Sequence, residues 1–466
     1  MFYGVAITFG LQDWQILQRT NAQATVRIGG RWRLEPGAVR AGVRSATPVY
    51  RLVSELDQRP LFPWTPCDHQ TGADNLTSGD VAGEWDASVT LPQGGPYRLE
   101  TSLDAVSRAT GEHWMFRGDI RVHLGVGDVF CMAGQSNAAG YAKGFAYDPP
   151  DLRVHLLRNS GRWDLAAHPM NDATDAADCL NAPMSVTGTS PFLSFGRRYA
   201  DLAGVPVGLI QAAQGGSPMK RWDLAREGDL YRNMMRKLGS GVPVRAILWY
   251  QGCADADPEN AALYADGFTR MVSDLRRQAG WQVPVFTMQL NRYETQLDLV
   301  SWAAIKEIQR QLANQLPQVW LMPTAGLPQS DEIHTSASGN VSLGERLAMQ
   351  VHGALNGGPA FEAPAPVDAR MLDGRVCLSV RCAGPLSSLR VRHDLLDFIL
   401  TDSRGVVPLG AMSIDGGSVI SLTPSRPVEG RCFLSYGCTP SGPEGLIVDQ
   451  VTWLPIIPFD HLEVES

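Results

Sequence analysis

Three continuous apolar runs between helix-like segments constrain the fold of this chain most strongly. The runs read VPVGLIQAA, VRAILWYQG and VPVFTMQL. The segments PFLSFGRRYADLAG, YADGFTRMVSDLRRQAG and SWAAIKEIQRQLANQL repeat apolar residues at helical spacing. Strands without polar alternation are buried on both faces, as in a parallel sheet that helices cover on both sides. The pattern therefore predicts an α/β domain with a doubly wound parallel sheet over residues 126–357.

The sequence on both sides of this domain predicts β structure. Residues 1–125 contain runs such as ATVRIGGRWRLEP and EWDASVTLPQGGPYRLETSL, which alternate polar and apolar residues between glycine and proline turns. This pattern is typical of an antiparallel, sandwich-like domain. After the linker NGGPAFEAPAPVD, short strand-like runs return, among them RVCLSVRC and SVISLTP. Residues 358–466 are therefore predicted to form a C-terminal β region.

Composition excludes several classes of function. The formal charge of −8 disfavours binding to nucleic acid or to an anionic membrane, since a protein needs a basic surface to bind either of these negatively charged partners. No apolar run approaches the roughly 20 residues that span a bilayer, and the N-terminus lacks the pattern of a signal peptide. We therefore expect a cytoplasmic protein. The eight cysteines are dispersed without a CxxC pair, which favours reduced thiols over disulfides or a zinc site.

Polar residues follow the predicted strands at the edge where ligands bind in open α/β sheets. Ser136 lies in the turn DVFCMAGQSNAAG, close to Gly134. A serine in such a turn is most often a helix cap, so it indicates a nucleophile only if partners lie nearby. Gly215 and Gly216 follow the run VPVGLIQAA, where paired glycines permit either an ordinary turn or backbone N–H groups that point at an oxyanion.

Gln251 follows the run that ends in WYQG. A side-chain amide at a strand end can donate a hydrogen bond to a developing negative charge, as a backbone N–H can. Three acidic residues come after it, Asp255, Asp257 and Glu259, and suggest a calcium loop. Asp257 directly precedes Pro258, however, and that pair is typical of a helix N-cap followed by proline at the first helical position.

Asp331 precedes His334 by three positions in QSDEIHTSASGN. A carboxylate this close can accept the Nδ1 proton of the histidine and leave Nε2 free to act as a general base. With Ser136, the glycine pair and Gln251, these residues complete the set needed for acyl transfer from an ester through a serine intermediate. That chemistry needs no metal or organic cofactor.

The motifs GQSN, QGGSPMKRW, WYQG and DEIH, in this order, resemble the blocks of SGNH hydrolases of the sialate O-acetylesterase and carbohydrate acetylesterase type. The likeness extends to the flanking β regions, except for the stretch from residue 46 to residue 75. It implies a flavodoxin-like SGNH domain that removes acetyl groups from sialic acid or from hemicellulosic oligosaccharides such as mannan or xylan. The sequence does not indicate an oligomeric state.

The resemblance assigns Ser136 as nucleophile, His334 as base and Asp331 as the acid that orients it. The oxyanion hole would combine the Ser136 N–H, an N–H of Gly215 or Gly216, and the Gln251 amide.

Two further residues, Gln135 and Trp222, are candidates for substrate binding, the tryptophan through stacking on a sugar ring. Cys253 stands where the family carries glutamate, and a thiol there is more often a small buried side chain than a nucleophile.

Two other functions stay open at this stage. GQSNA comes close to the nucleophile elbow of α/β-hydrolases, but in those enzymes the serine follows several strands and the acid lies far from the histidine. The second alternative is a non-catalytic carbohydrate-binding protein with a degenerate esterase core. Hydrolysis of an acetate ester that depends on Ser136 would separate the enzyme from this binding protein.

Overall fold

The computed structural model describes residues 2–69, 81–294, 299–384, 386–391, 397–439 and 446–465. Over these residues the chain is a mixed α/β protein that is rich in strands, in agreement with the predicted class at that level. No described helix is both long enough and apolar enough to cross a membrane.

The strands and helices are numbered in chain order. Nine strands precede or enter the middle region: β1 (Gly4–Phe9), β2 (Ile16–Gln18), β3 (Gln23–Leu34), β4 (Val43–Ser54), β5 (Thr65–Pro66), β6 (Asp68–His69), β7 (Val81–Pro92), β8 (Gly94–Ser107) and β9 (His113–Gly134). The middle region adds β10 (Val154–Leu157), β11 (Trp163–Leu165), β12 (Val207–Gln211), β13 (Ala246–Tyr250), β14 (Val285–Met288) and β15 (Val319–Met322). The C-terminal strands are β16 (Ala365–Leu372), β17 (Arg375–Arg381), β18 (Leu389–Val391), β19 (Phe398–Asp402), β20 (Gly405–Val407), β21 (Leu409–Asp415), β22 (Val419–Pro424), β23 (Cys432–Tyr436), β24 (Ile447–Asp449) and β25 (Phe459–Glu465). The helices are α1 (Pro36–Arg40), α2 (Ser136–Ala139), α3 (Phe192–Ala203), α4 (Asp229–Leu238), α5 (Pro258–Ala279), α6 (Leu299–Gln315) and α7 (Ala337–Asn356).

The middle of the chain forms a parallel set of strands in the order β10, β12, β9, β13, β14, β15. The short strand β11 pairs with β10 in antiparallel orientation at the edge. The three apolar runs singled out in the sequence supply β12, β13 and β14. Strand β9 lies between β12 and β13, so its C-terminal end has a neighbouring strand end on each side.

Successive side chains of β9 enter different hydrophobic clusters. Phe130 and Met132 pack in a cluster with residues of α3 and α7, whereas Cys131 and Ala133 pack with residues of α4, α5 and α6. Side chains alternate between the two faces of a strand, so helices cover both faces of this sheet. This explains why the strand sequences are apolar without alternation.

Strand β9 also connects the middle region with the N-terminal strands. Its first part pairs with β8 in antiparallel orientation, and its last part pairs with β12 and β13. The predicted boundary between residues 125 and 126 falls within this strand. Asp128 of this strand is fully buried, and its Oδ2 atom lies 2.8 Å from Arg19 Nη2 in an ion pair.

The flanking regions consist of antiparallel sheets for the most part. In the N-terminal region β3 pairs with β1 and β7, and β4 pairs with β8. In the C-terminal region eight strands form one sheet in the order β20, β19, β23, β25, β16, β17, β22, β21. A second, two-stranded sheet pairs β18 with β24.

The predicted cap of α5 is confirmed. The Asp257 carboxylate accepts the backbone N–H groups of Glu259 and Asn260, and Pro258 occupies the first helical position. The carboxylate therefore serves the helix terminus, which corresponds to the cap and not to the calcium loop that the acidic run suggests.

Candidate active site

The turn after β9 brings Ser136 to the C-terminal edge of the parallel sheet. Gly134 ends the strand with a φ of 125°, and a Cβ atom at that position would lie 2.2 Å from the Tyr250 carbonyl oxygen. Only glycine tolerates both the backbone angle and this close approach to β13. The next residue but one, Ser136, begins the short helix α2.

Ser136, His334 and Asp331 lie in one hydrogen-bonded chain. His334 Nε2 is 2.9 Å from Ser136 Oγ, and His334 Nδ1 is 3.0 Å from each carboxylate oxygen of Asp331. An ionised carboxylate only accepts hydrogen bonds, so the proton of the neutral imidazole lies on Nδ1 and Nε2 is free to accept the serine proton.

Asp331 is held in its charged form by several donors. Burial by itself would raise the pKa of this carboxyl group, but the His334 ring, the His334 and Ile333 backbone N–H groups and Lys143 hold the pKa well below its ordinary value. The Lys143 ammonium lies 3.0 Å from Asp331 Oδ2. The loop thus folds around the carboxylate, which is why a spacing of three residues suffices.

The residues on both sides of Ser136 fix the turn to two other loops. The Gln135 side-chain oxygen accepts the N–H groups of Gly252 and Ala254 at 3.0 and 3.2 Å. The Asn137 side chain binds the backbone on both sides of His334, where it donates to the Ile333 carbonyl and accepts the Thr335 N–H.

Asn137 was not among the residues predicted from sequence, although it is the last letter of GQSN. Gln135 was predicted to bind substrate. It lines the cavity described below, but its oxygen is committed to the backbone after β13.

Gly215 and Gly216 lie beside Ser136, as their position after β12 predicts. Both line the same cavity, and neither N–H donates a hydrogen bond to another described residue. A Cβ atom on Gly215 would lie 2.6 Å from the Tyr141 hydroxyl, which itself accepts the Met184 N–H at 2.8 Å. Two backbone donors therefore remain available near the serine.

The loops that carry Ser136, Gly215 and His334 line an open cavity of about 420 Å³. That size is in the range of small-molecule sites. Among the described residues, no group of three or more histidine, cysteine or acidic side chains could hold a metal ion. The described residues that line the cavity are Gln135, Ser136, Tyr141, Lys143, Met184, Ser185, Val186, Gly215, Gly216, Cys253, Ala254, Asp331, Ile333 and His334.

Residues 126–352, which include this whole cavity, match the model of a family described as carbohydrate esterase, sialic acid-specific acetylesterase. The middle of the chain is thus similar to this carbohydrate esterase family. The resemblance predicted from the sequence motifs is thereby confirmed, and the protein is a hydrolytic esterase. No curated protein sequence matches the chain.

One solved structure shares the fold of nearly the whole chain. A carbohydrate acetylesterase from Xanthomonas citri superposes with a TM-score of 0.66 over 97% of this chain and 98% of its own, at 20% sequence identity. At that identity the likeness concerns the fold alone. A protein from Arabidopsis thaliana is 23% identical over 49% of this chain and 98% of its own, with a TM-score of 0.43.

Gln251 does not have the role predicted for it in this carbohydrate esterase. Its side chain is fully buried, and its amide nitrogen donates to the Ser217 carbonyl at 3.0 Å and to the Asp255 carboxylate. Both amide protons are thereby used, so none is left for an oxyanion. Burial raises the pKa of Asp255 to about 6, against the opposing hydrogen bonds from Gln251 and the Met219 N–H. Gln251 therefore solvates a buried carboxyl group instead.

The prediction that Trp222 stacks on a sugar is also corrected. Its side chain is fully buried, and the indole N–H donates to Ser217 Oγ at 3.2 Å. The ring packs edge-on against Trp249, with 5.0 Å between the ring centroids. Trp222 thus belongs to the hydrophobic core under α4 and α5.

Cys253, the residue that the sequence resemblance places at a glutamate position of the family, lines the cavity. Burial raises the pKa of the Cys253 thiol to about 12. A thiol with that pKa is protonated near neutral pH and is therefore a poor nucleophile. Cys253 is partly exposed at the cavity wall and not fully buried as predicted, but its protonated thiol agrees with the prediction that it is not the nucleophile.

Proposed function

We propose that this protein is a carbohydrate O-acetylesterase in which Ser136 is the nucleophile, His334 the general base and Asp331 the orienting acid. The observation that carries the proposal is the 2.9 Å contact between Ser136 Oγ and His334 Nε2 beside an open cavity. The similarity of residues 126–352 to this esterase family supports it. The substrates would be acetylated mono- or oligosaccharides, with sialic acid and hemicellulosic sugars as candidates.

The first half-reaction forms an acetyl-enzyme. His334 Nε2 takes the proton from Ser136 Oγ as the oxygen attacks the acetyl carbonyl carbon. Asp331 stabilises the imidazolium through its hydrogen bond to Nδ1. When the tetrahedral intermediate collapses, the bond between the carbonyl carbon and the sugar oxygen breaks, and His334 returns the proton to that oxygen.

The oxyanion of each tetrahedral intermediate would lie among backbone donors. The Ser136 N–H and the N–H groups of Gly215 and Gly216 are proposed for this role, because none of them donates to another described residue. Preorganised donors of this kind stabilise the charge without reorganisation during the reaction. Gln251 is omitted from this set because its amide serves Ser217 and Asp255.

The second half-reaction releases acetate. Water enters the cavity, His334 removes one of its protons, and the water oxygen attacks the acetyl carbon on Ser136. The bond from that carbon to Ser136 Oγ breaks, and His334 returns the proton to the serine. The sequence of steps uses no redox partner and returns every side chain to its initial state.

We also propose how the chain is divided into domains and which fold the middle domain has. The parallel strands and the helices on both faces would be a doubly wound SGNH core over residues 126–357. The β regions 1–125 and 358–466 would be separate flanking domains.

The test is hydrolysis of p-nitrophenyl acetate and release of acetate from acetylated sugars. We expect the Ser136→Ala variant to lose at least about a thousandfold in kcat/KM, since removal of the nucleophile leaves only binding and the oxyanion donors. Ser338→Ala, at an exposed serine on α7, is the matched control and should retain activity. No hydrolysis by the unmodified protein, together with binding of acetylated sugar, would support the carbohydrate-binding alternative.

A further inference from the structure

We infer that the cavity accepts an uncharged acetylated sugar in preference to acetylated sialic acid or any other anionic sugar. This inference rests on the proposed function and goes on to name the charge of its substrate. It is carried by the ion pairing of Lys143, by the apolar side chains at the mouth of the cavity, and by the pairing of basic residues on the neighbouring loops.

Lys143 supplies the one ammonium group among the described cavity-lining residues. Its Nζ atom lies 3.0 Å from Asp331 Oδ2. A sialate carboxylate that bound Lys143 would therefore compete with Asp331, the residue that orients His334. Charge recognition of a substrate by Lys143 would thus weaken the group on which the proposed base depends.

Apolar side chains form much of the remaining wall. Met184 and Val186 are 73% and 91% exposed, so their surfaces are available to a ligand. Tyr141 and Ile333 also line the cavity, and Cys253 is an uncharged thiol because burial raises its pKa to about 12. Such surfaces suit the apolar faces of a pyranose ring, which are formed by C–H groups, and the methyl group of an acetyl ester.

Two basic side chains on the adjacent loops, Lys220 and Arg292, are also paired. Lys220, which follows the glycine pair, lies 2.7 Å from Glu227, and Arg292, after β14, lies 3.1 Å from Glu294. Residues 295–298 lie outside the described part of the chain, and their sequence, TQLD, contains no basic side chain.

A carboxylate in this cavity would lose water without gaining an unpaired cation from the described residues that line it. Removing a charged group from water is costly unless a partner compensates for it. The negative charge of Asp331 adds repulsion at short range. A neutral sugar has no charge to dehydrate and is not repelled by Asp331. Its hydroxyl groups can keep contact with solvent at the open mouth of the cavity.

The experiment compares two substrates that differ only in charge. Acetate release is measured from an O-acetylated sialic acid and from the carboxamide of the same sugar, with p-nitrophenyl acetate as a measure of general esterase activity. We expect kcat/KM to be at least tenfold higher for the carboxamide. Added salt should reduce this ratio, because part of it is electrostatic.

A pair of variants moves the preference in a defined direction. Val186→Arg places a cation at the mouth of the cavity, and Val186→Gln adds a long polar side chain without the charge. We expect the arginine variant to lower the carboxamide-to-acid ratio at least fivefold relative to the glutamine variant. The comparison uses the ratio, so it holds even if both substitutions change the overall rate.

The outcomes separate the inference from the proposed function. If p-nitrophenyl acetate is hydrolysed but the acid and the carboxamide react equally well, or the acid reacts faster, the inference is wrong and the proposed function stands. If none of the esters is hydrolysed, both are wrong. A selective loss of activity on the acid in Lys143→Met would mean that Lys143 binds the carboxylate, and that would also overturn the inference.

Discussion

His334 Nε2 lies 2.9 Å from Ser136 Oγ although the two residues are 198 positions apart. The contact joins the turn after β9 to the loop before α7. Asn137, next to the serine, holds the backbone on both sides of the histidine. The position of the proposed base relative to the proposed nucleophile is therefore also fixed by hydrogen bonds between the Asn137 side chain and the main chain around His334.

The first prediction concerns the orientation of His334. Asp331→Asn should reduce kcat by about four orders of magnitude and leave KM within a few-fold, because the amide favours the wrong tautomer of the ring. The asparagine oxygen can still accept the backbone N–H groups of Ile333 and His334, which Asp331 accepts at 3.1 and 2.8 Å. The measurement is steady-state kinetics with p-nitrophenyl acetate on folded protein.

A second histidine–aspartate pair provides the control for this variant. Asp148 Oδ2 lies 2.9 Å from His168 Nε2, and neither residue lines the cavity. Asp148→Asn makes the same chemical change outside the site and should leave kcat nearly unchanged. Near-normal turnover of Asp331→Asn would mean that the carboxylate does not orient the base.

The sequence predicted the Asp331–His334 contact because it is local. A carboxylate three residues before a histidine needs only one turn of loop to reach it. The closeness of Ser136 to this pair required a second rule, that the ends of parallel strands meet at one edge of the sheet. The structure brings the three side chains together as both arguments predict.

The role of Gln251 could not be predicted in the same way. Its place at a strand end gives its position along the sheet, but the direction of its side chain depends on Asp255, a buried carboxylate that needs donors. The prediction for Trp222 is wrong for a related reason, because a tryptophan near a site in sequence can still point into the core. Strand β9 runs through a predicted domain boundary because its alternating first part continues without a turn into an apolar second part.

The second prediction separates a stabilising role of Gln251 from a catalytic one. Gln251→Leu removes the donor to Ser217 and to Asp255, so the free energy of unfolding should fall by about 1–3 kcal/mol or more. An oxyanion donor would instead lower kcat by about 100- to 1000-fold with little effect on unfolding. Urea unfolding and kinetics on the same preparation distinguish the two.

Gln350→Leu is the matched control for this variant. Gln350 is also buried and donates to a backbone carbonyl, that of Leu321, at 3.0 Å, but no carboxylate of the described residues bonds to it. We expect Gln251→Leu to be the less stable variant of the two. Equal stability would contradict the role assigned to the contact between Gln251 and Asp255.

The third prediction uses the pH dependence of stability. Burial raises the pKa of Asp255 to about 6 in the folded protein, above its ordinary value. At pH values between these two, the folded protein binds a proton at Asp255 and the unfolded chain does not. This group therefore favours folding as the pH falls from about 7 to about 5, and the contribution is lost as the pH rises through the folded-state pKa.

The measurement compares the unmodified protein with Asp255→Asn. The asparagine oxygen can still accept the Met219 N–H, which Asp255 accepts at 2.9 Å, but the side chain does not titrate. The difference in free energy of unfolding between the two proteins should change by about 1 kcal/mol between pH 7 and pH 5 in favour of the unmodified protein at the lower pH. Parallel pH profiles would mean that Asp255 titrates at its ordinary pKa.

The fourth prediction tests why glycine precedes the serine turn. Gly134→Ala puts a Cβ atom 2.2 Å from the Tyr250 carbonyl oxygen at a φ of 125°. Gly144→Ala provides the control, because its φ is 89° but no atom of the described residues, apart from its chain neighbours, lies within 4 Å of the added Cβ. Both substitutions strain the backbone, but only Gly134→Ala adds a clash with β13. Its free energy of unfolding should therefore be about 1–3 kcal/mol lower than that of Gly144→Ala. If the two variants unfold at the same urea concentration, the close approach of β9 to β13 is not what requires glycine at position 134.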